Sequence, residues 1–191
     1  MNTISIVFER FYFDLDQFEF KIDEIEGNPF IPVNGKTSPN EISMLIGSLL
    51  SINRAATIDS LVDELQKEDQ LALGGGLTFS SHDYTIYPGC CSDFQMDGPG
   101  TILNLQQKKG IWMGHNPDIL VDYTDNGFKI YSEDNTEKSI YYTFDDFYLI
   151  KKNLEADRLQ FLDRFLAWQQ STLPHIPGLS VAKGTYFSFH S

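Results

Sequence analysis

Residues 119–132, ILVDYTDNGFKIYS, decide the fold class. Ile119, Val121 and Tyr123 share one face of an extended segment. Phe128 and Ile130 share the face of another, Lys129 and Tyr131 lie opposite, and Ser132 ends the apolar run. A period of two is the signature of a half-buried strand. Asp125-Asn126-Gly127 stands between the two runs, and an Asn-Gly pair supplies positive φ cheaply, so this is the strongest hairpin signal in the chain. Ile140 to Thr143 offers a further strand. The sheet these runs build is antiparallel.

Downstream, from about Phe144 to Gln170, the period becomes helical. Phe147, Ile150, Leu154, Phe161, Phe165 and Trp168 form one stripe, with Leu159, Leu162 and Leu166 beside it. The spacing predicts one long helix, or two broken near Asn153, ended by Pro174 and Pro177. The alternating tail Tyr186-Phe187-Ser188-Phe189 predicts a final strand or a docked terminal segment.

Upstream, Ile4, Ile6 and Phe8 fall on one face with Thr3, Ser5, Val7 and Glu9 on the other, and Phe18, Phe20 and Ile22 alternate with polar neighbours, which predicts an N-terminal hairpin over residues 3–23. Ser38-Pro39 then opens a helix. Ser38 is placed as N-cap, Pro39 at the first helical position and Glu41 to close a capping box. Ile42, Leu45, Ile46, Leu49 and Leu50 keep helical spacing, and a second helix follows Thr57 with Ile58, Leu61, Val62 and Leu65 inward. These stripes read as core. The sum is an α+β fold: a single domain over residues 1–191, mainly antiparallel sheet with helices packed on one face.

Composition narrows the function classes. With 15 Phe and 9 Tyr against 4 Met, the chain suits a sheet with aromatic faces. Its 14 basic and 27 acidic residues give a formal charge of −13. That disfavours bare nucleic acid, whose phosphates need a basic face, and anionic membrane surfaces. It leaves two roles for the charge, solubility and complementarity to a basic partner. No apolar window reaches the roughly 20 residues of a membrane span. The start MNTISIVFERF has no basic n-region, and two adjacent cysteines are no disulfide framework. The expected compartment is the cytoplasm.

Residues 71–118 carry what a packed core does not require. Gly74-Gly75-Gly76 has neither a following G-K-[ST] nor a strand-GxGxxG-helix context, so a phosphate cradle gives way to unusual backbone angles or close approach. Cys90-Cys91, after Pro88-Gly89, lacks the spacing of a zinc pair. The pair reads as two thiols at a tight corner, one buried and one partly exposed, with ligation and thiol chemistry as the alternatives. His82, Asp83, Asp93, His115 and Asp118 complete an array with enough ligand types for zinc, or for a Cys-His-Asp site, without a spacing that unites them. His175 lies between prolines and His190 at the terminus. Trp112, within Gly110-Ile111-Trp112-Met113-Gly114, reads as a buried core residue of a short strand. No cofactor is expected.

Tyr87-Pro88-Gly89-Cys90-Cys91-Ser92-Asp93-Phe94 and Ile111-Trp112-Met113-Gly114-His115-Asn116-Pro117 together resemble a bacterial family without an established reaction. That family carries a glycine-rich approach, a Pro-Gly-Cys-Cys corner and a Trp-x-Gly-His-[Asp/Asn]-Pro segment. The likeness covers about 45 residues, roughly 70 to 117. Ser92 stands where a third cysteine often sits, Phe94 replaces a common leucine, and a tryptophan after the corner is absent. Losing a third thiol weakens metal binding. In size, charge and α+β character the chain is similar to immunity proteins of bacterial toxin systems. The resemblance of class implies a non-enzymatic acidic binding protein that occludes a basic toxin. The alternative is a metal- or thiol-dependent enzyme using Cys90, Cys91, His82 and His115.

Overall fold

The computed structural model describes residues 2–11, 20–24, 26–55, 57–61, 72–94 and 99–174. The fold is α+β, with a four-stranded sheet in the order β2-β1-β3-β4 and a three-stranded sheet in the order β5-β6-β7. The strands are β1 (Thr3–Glu9), β2 (Phe30–Pro32), β3 (Gly75–Ser80), β4 (Thr85–Ile86), β5 (Ile119–Tyr123), β6 (Gly127–Ser132) and β7 (Asn135–Thr143). The helices are α1 (Pro39–Ile52), α2 (Pro99–Gln106) and α3 (Phe144–Thr172), and residues 58–61 are also helical. Two compact units divide the chain, Met1–Val7 with Gly74–Ala156 and Phe8–Leu73 with Asp157–Ser191.

In the first unit the hairpin at residues 119–132 forms as its alternation predicts. Val121 pairs with Ile130 and Tyr123 with Phe128 in antiparallel register. The role of its glycine differs from the expectation. Gly127 does not take a positive φ. It is required because a Cβ there would collide with the carbonyl oxygen of Tyr142 on the neighbouring strand. β7 is also longer than Ile140–Thr143, because pairing with β6 carries it back to Asn135.

An aromatic cluster joins β3, β6 and β7 to the start of α3 within this unit. Phe128 and Tyr142 are a cross-strand pair, stacked with centroids 5.5 Å apart and planes at 25°. Phe147 of α3 meets Phe128 edge-on at 5.2 Å, and Phe79 of β3 meets Tyr142 at 6.1 Å. The Tyr142 hydroxyl donates to the carbonyl of Thr3 at 2.9 Å. Burial pushes its phenol well above the ordinary tyrosine range. A buried hydroxyl needs such a partner, because an unmet one keeps its full desolvation cost.

In the second unit α1 begins as its sequence predicts. Ser38 caps it, the Ser38 Oγ accepts from the Glu41 N–H at 3.2 Å, and the Glu41 carboxylate accepts from the Ser38 N–H at 2.6 Å. The burial is wider than a one-sided stripe, since every residue from Ile42 to Leu50 is buried. The polar members of that run are satisfied. Ser43 Oγ accepts from Trp168 Nε1 at 2.9 Å, and Ser48 Oγ accepts from the Phe11 N–H at 3.0 Å.

The N-terminal hairpin is a correction. Residues 12–19 lie outside the described ones, and residues 20–24 are not strand. The reason is where that segment's polar groups go. Asp23 N–H donates to Asn40 Oδ1 at 2.7 Å, and Asn40 Nδ2 donates back to the Asp23 carbonyl at 2.8 Å. An amide side chain at the start of α1 thus takes the place of a strand partner, and Phe20 packs edge-on against Trp168 at 5.8 Å. α3 runs unbroken through Asn153, with the predicted stripe from Phe147 to Trp168 buried. The predicted tail strand and residues 62–71 lie outside the described residues. Among the described residues no helix is long and apolar enough to cross a membrane.

Two stability outcomes follow from this packing. Phe128→Ala is expected to cost about 3–5 kcal/mol, as truncation of a buried aromatic does, while Tyr142→Phe costs about 1 kcal/mol, the value of one hydrogen bond; urea denaturation of the two variants checks the ranking. Ser38→Ala is expected to cost about 1 kcal/mol through the lost cap, read as a lower denaturation midpoint with unchanged slope.

Candidate functional site

The two halves of the motif form one structural unit. Gly89 N–H donates to the Met113 carbonyl at 2.8 Å. Cys90 and His115 then exchange both backbone bonds, Cys90 N–H to the His115 carbonyl at 2.7 Å and His115 N–H to the Cys90 carbonyl at 2.8 Å. This is the closely bonded pair of an antiparallel ladder, made by residues otherwise outside any strand.

Both glycines at the crossing are sterically required. A Cβ on Gly89 would strike the carbonyl oxygens of His115 and Pro117, and one on Gly114 would strike those of Cys90 and Gly89. Gly114 also takes φ 87°, which side-chain-bearing residues rarely adopt. The two halves of the motif therefore meet in a backbone contact in which each segment's glycine admits the other segment's carbonyls. Asn116 takes φ 47°, and the Asn116–Pro117 peptide is cis.

The glycine run supports the same corner. Gly74 bridges Asp93, Gly75 N–H donates to the Ser92 carbonyl at 3.3 Å, and the buried Ser92 hydroxyl donates to the Gly75 carbonyl. Gly75 and Gly76 both take φ 148°, the unusual backbone the sequence predicts, but inside β3. β3 leads through the 81–84 turn into β4, so no helix N-terminus follows the glycines to receive a phosphate. Ser92, at the position of the resembled family's third cysteine, is thus a hydrogen-bonding part of the framework.

Pro88, Gly89, Ser92, Phe94, Met113 and Gly114 are buried beneath the corner. Tyr87, Cys90, Cys91, Trp112, His115 and Asn116 are exposed. Two expectations are corrected here. Trp112 is 48% exposed instead of buried, and it lies in a loop. Cys90 and Cys91 are both exposed, where one was expected to be buried. The cause is shared: the ladder is made by backbone, and Met113 fills the core, so the flanking side chains point outward. The Trp112 ring meets His115 edge-on at 5.5 Å, and His115 Nδ1 stands 3.3 Å from Asp118 Oδ1. The cysteine sulfurs are 4.0 Å apart, well beyond the ~2.05 Å of a disulfide.

The remaining ligand candidates are placed as follows. His82 and Asp83 sit in the exposed 81–84 turn, closed by Ser81 N–H donating to the Tyr84 carbonyl at 2.8 Å, and the Ser81 hydroxyl donates to Asp83 at 3.1 Å. Asp93 is held by its bridge to Gly74. Among the described residues no three His, Cys, Asp or Glu side chains converge as a metal site requires. His175 and His190 lie outside the described residues. Tyr87, the first residue of the motif, is an exposed surface residue ahead of the buried Pro88-Gly89. Comparison of the chain with protein-family models, with curated proteins and with solved structures finds no match.

Gly114→Ala is expected to cost about 2 kcal/mol or more, the scale of imposed backbone strain. Gly110→Ala serves as its control, since a Cβ at Gly110 meets nothing within 4 Å. Thermal unfolding of the pair checks this, and equal melting temperatures would sink the account of the crossing.

Proposed function

We propose that this chain is a non-enzymatic, acidic binding protein of the bacterial cytoplasm, an immunity protein that neutralises a basic toxin by occluding it. The observation that carries the reading is Trp112, half exposed on a corner whose backbone is held by the Cys90–His115 pair. Exposing a large indole is unfavourable unless a partner covers it, and tryptophan is among the residues that dominate binding hot spots. Tyr87, also exposed, adds a residue type enriched at interface cores.

A rigid corner presents these rings with little ordering cost on association, which favours affinity. The charge of −13 supplies the second component. It attracts a basic partner, speeds encounter and disfavours acidic competitors. Occlusion needs no catalytic group, and it places the chemistry-bearing side chains of the corner in a contact role.

The test is co-expression with a toxin encoded by the gene adjacent to its own, with binding measured on the purified pair. The expected outcome is protection from the toxin, with Trp112→Ala weakening the complex by about 2 kcal/mol, roughly 30-fold in Kd. Because Trp112 is exposed, the variant should retain the parent's melting temperature. Added salt should slow association as charges are screened. Absence of protection together with turnover of a small substrate would overturn the reading.

A further inference from the structure

We infer that Cys90-Cys91 is a site of thiol oxidation, at which a hydroperoxide converts the two neighbouring thiols into a disulfide that closes through their shared peptide. The two cysteines are consecutive in the chain, and both are exposed. An oxidant in solution reaches either thiol, and the chain itself keeps the second sulfur beside the first.

Neighbouring residues of an extended chain send their side chains to opposite faces. Cys91 instead takes φ 63°, a left-handed conformation uncommon for a residue that carries a side chain. Backbone outliers of this kind cluster at functional positions. The two sulfurs stand 4.0 Å apart. Exposed side chains turn between rotamers within picoseconds to nanoseconds, so closure depends on the peptide between the two residues and not on the resting place of either sulfur.

That peptide is where the fold couples to the chemistry. Consecutive Cα atoms lie about 3.8 Å apart, short of the ~4.4 Å at which ordinary disulfides begin, so the ring strains the planar Cys90–Cys91 peptide. The carbonyl of this same peptide accepts from the His115 N–H at 2.8 Å, and the Cys90 N–H donates to the His115 carbonyl at 2.7 Å. Space around it is tight, since a Cβ on Gly114 would strike the Cys90 carbonyl oxygen. The ring and the Cys90–His115 pair therefore compete for one peptide group. A strained, exposed disulfide is also the readily reduced kind, so a thiol such as glutathione reverses it. In the forward reaction one thiolate attacks the peroxide O–O bond, giving a sulfenic acid and releasing the alcohol. The second thiol attacks the sulfenic sulfur, the S–S bond forms and the hydroxyl leaves as water. The two thiols lose two electrons and the hydroperoxide gains them.

The experiment treats the reduced full chain with tert-butyl hydroperoxide, counts thiols by alkylation and intact mass, and follows amide hydrogen exchange by NMR. The expected product is a single chain that has lost two hydrogens and both alkylatable thiols, and that excess reduced glutathione returns to the parent. In it the His115 amide exchanges about two- to tenfold faster, the scale of one lost hydrogen bond. The Thr124 amide, which donates to the Gly127 carbonyl at 2.9 Å, keeps its rate. Cys90→Ser and Cys91→Ser each leave one thiol and no ring, so the same treatment should leave His115 exchange unchanged in both, with the untreated variants melting as the parent does. The proposal is overturned if both thiols survive the hydroperoxide, or if the product carries sulfinic or sulfonic acid or joins two chains. It is equally overturned if glutathione fails to restore the thiols, or if the His115 amide exchanges at one rate in the reduced and oxidised chain.

Discussion

Tyr142 is the residue through which the first unit is tied together. Its ring stacks on Phe128 of the next strand and meets Phe79 of the other sheet. Its hydroxyl reaches the backbone of β1 at Thr3. One side chain thus connects β6, β7, β3 and β1, combining aromatic burial with a satisfied polar tip. The constraint extends to the backbone, because Gly127 must lack a Cβ where the Tyr142 carbonyl approaches. β3, positioned by this cluster, in turn holds the segment at Ser92 and Asp93 through Gly74 and Gly75.

The corner is built on a similar economy. Its framework is backbone and small residues: Gly89, Gly114, the Cys90–His115 pair and the Ser92 hydroxyl. Because main-chain groups do the holding, the side chains of Cys90, Cys91, Trp112 and His115 are not consumed by it. They are presented outward on a rigid base, which is the arrangement that favours contact with something outside the chain. His115 stands beside Asp118 and the Trp112 edge, and among the described residues it enters no convergent three-ligand group.

Several elements were legible because the information is local. The capping box of Ser38 and Glu41, the alternation flanking Asn126-Gly127 and the stripe from Phe147 to Trp168 each follow from neighbours within a few residues. The reading failed where a distant group competed. Phe20 and Ile22 alternate like a strand, yet Asn40 takes the backbone bonds that a strand partner would have taken. Trp112 looks like core by residue type, but Met113 occupies the interior and leaves the indole outside. Ser92 reads as a lost ligand, whereas its bond to Gly75 makes it part of the framework. One of the two thiols was expected to be buried, and no local pattern could indicate that both face solvent.

By itself, the sequence determined the α+β class, the antiparallel hairpin at residues 119–132, the start of α1 and the core stripe of α3. Periodicity and capping are properties of a short stretch of chain, and they survive in any tertiary context that buries the apolar face. Only the tertiary structure decided that Pro88-Gly89-Cys90-Cys91 meets Trp112-Met113-Gly114-His115 backbone to backbone. It alone decided which side chains that meeting leaves exposed. A reciprocal hydrogen bond between residues 25 positions apart has no signature in either segment, because glycine marks a place where something approaches closely without saying what.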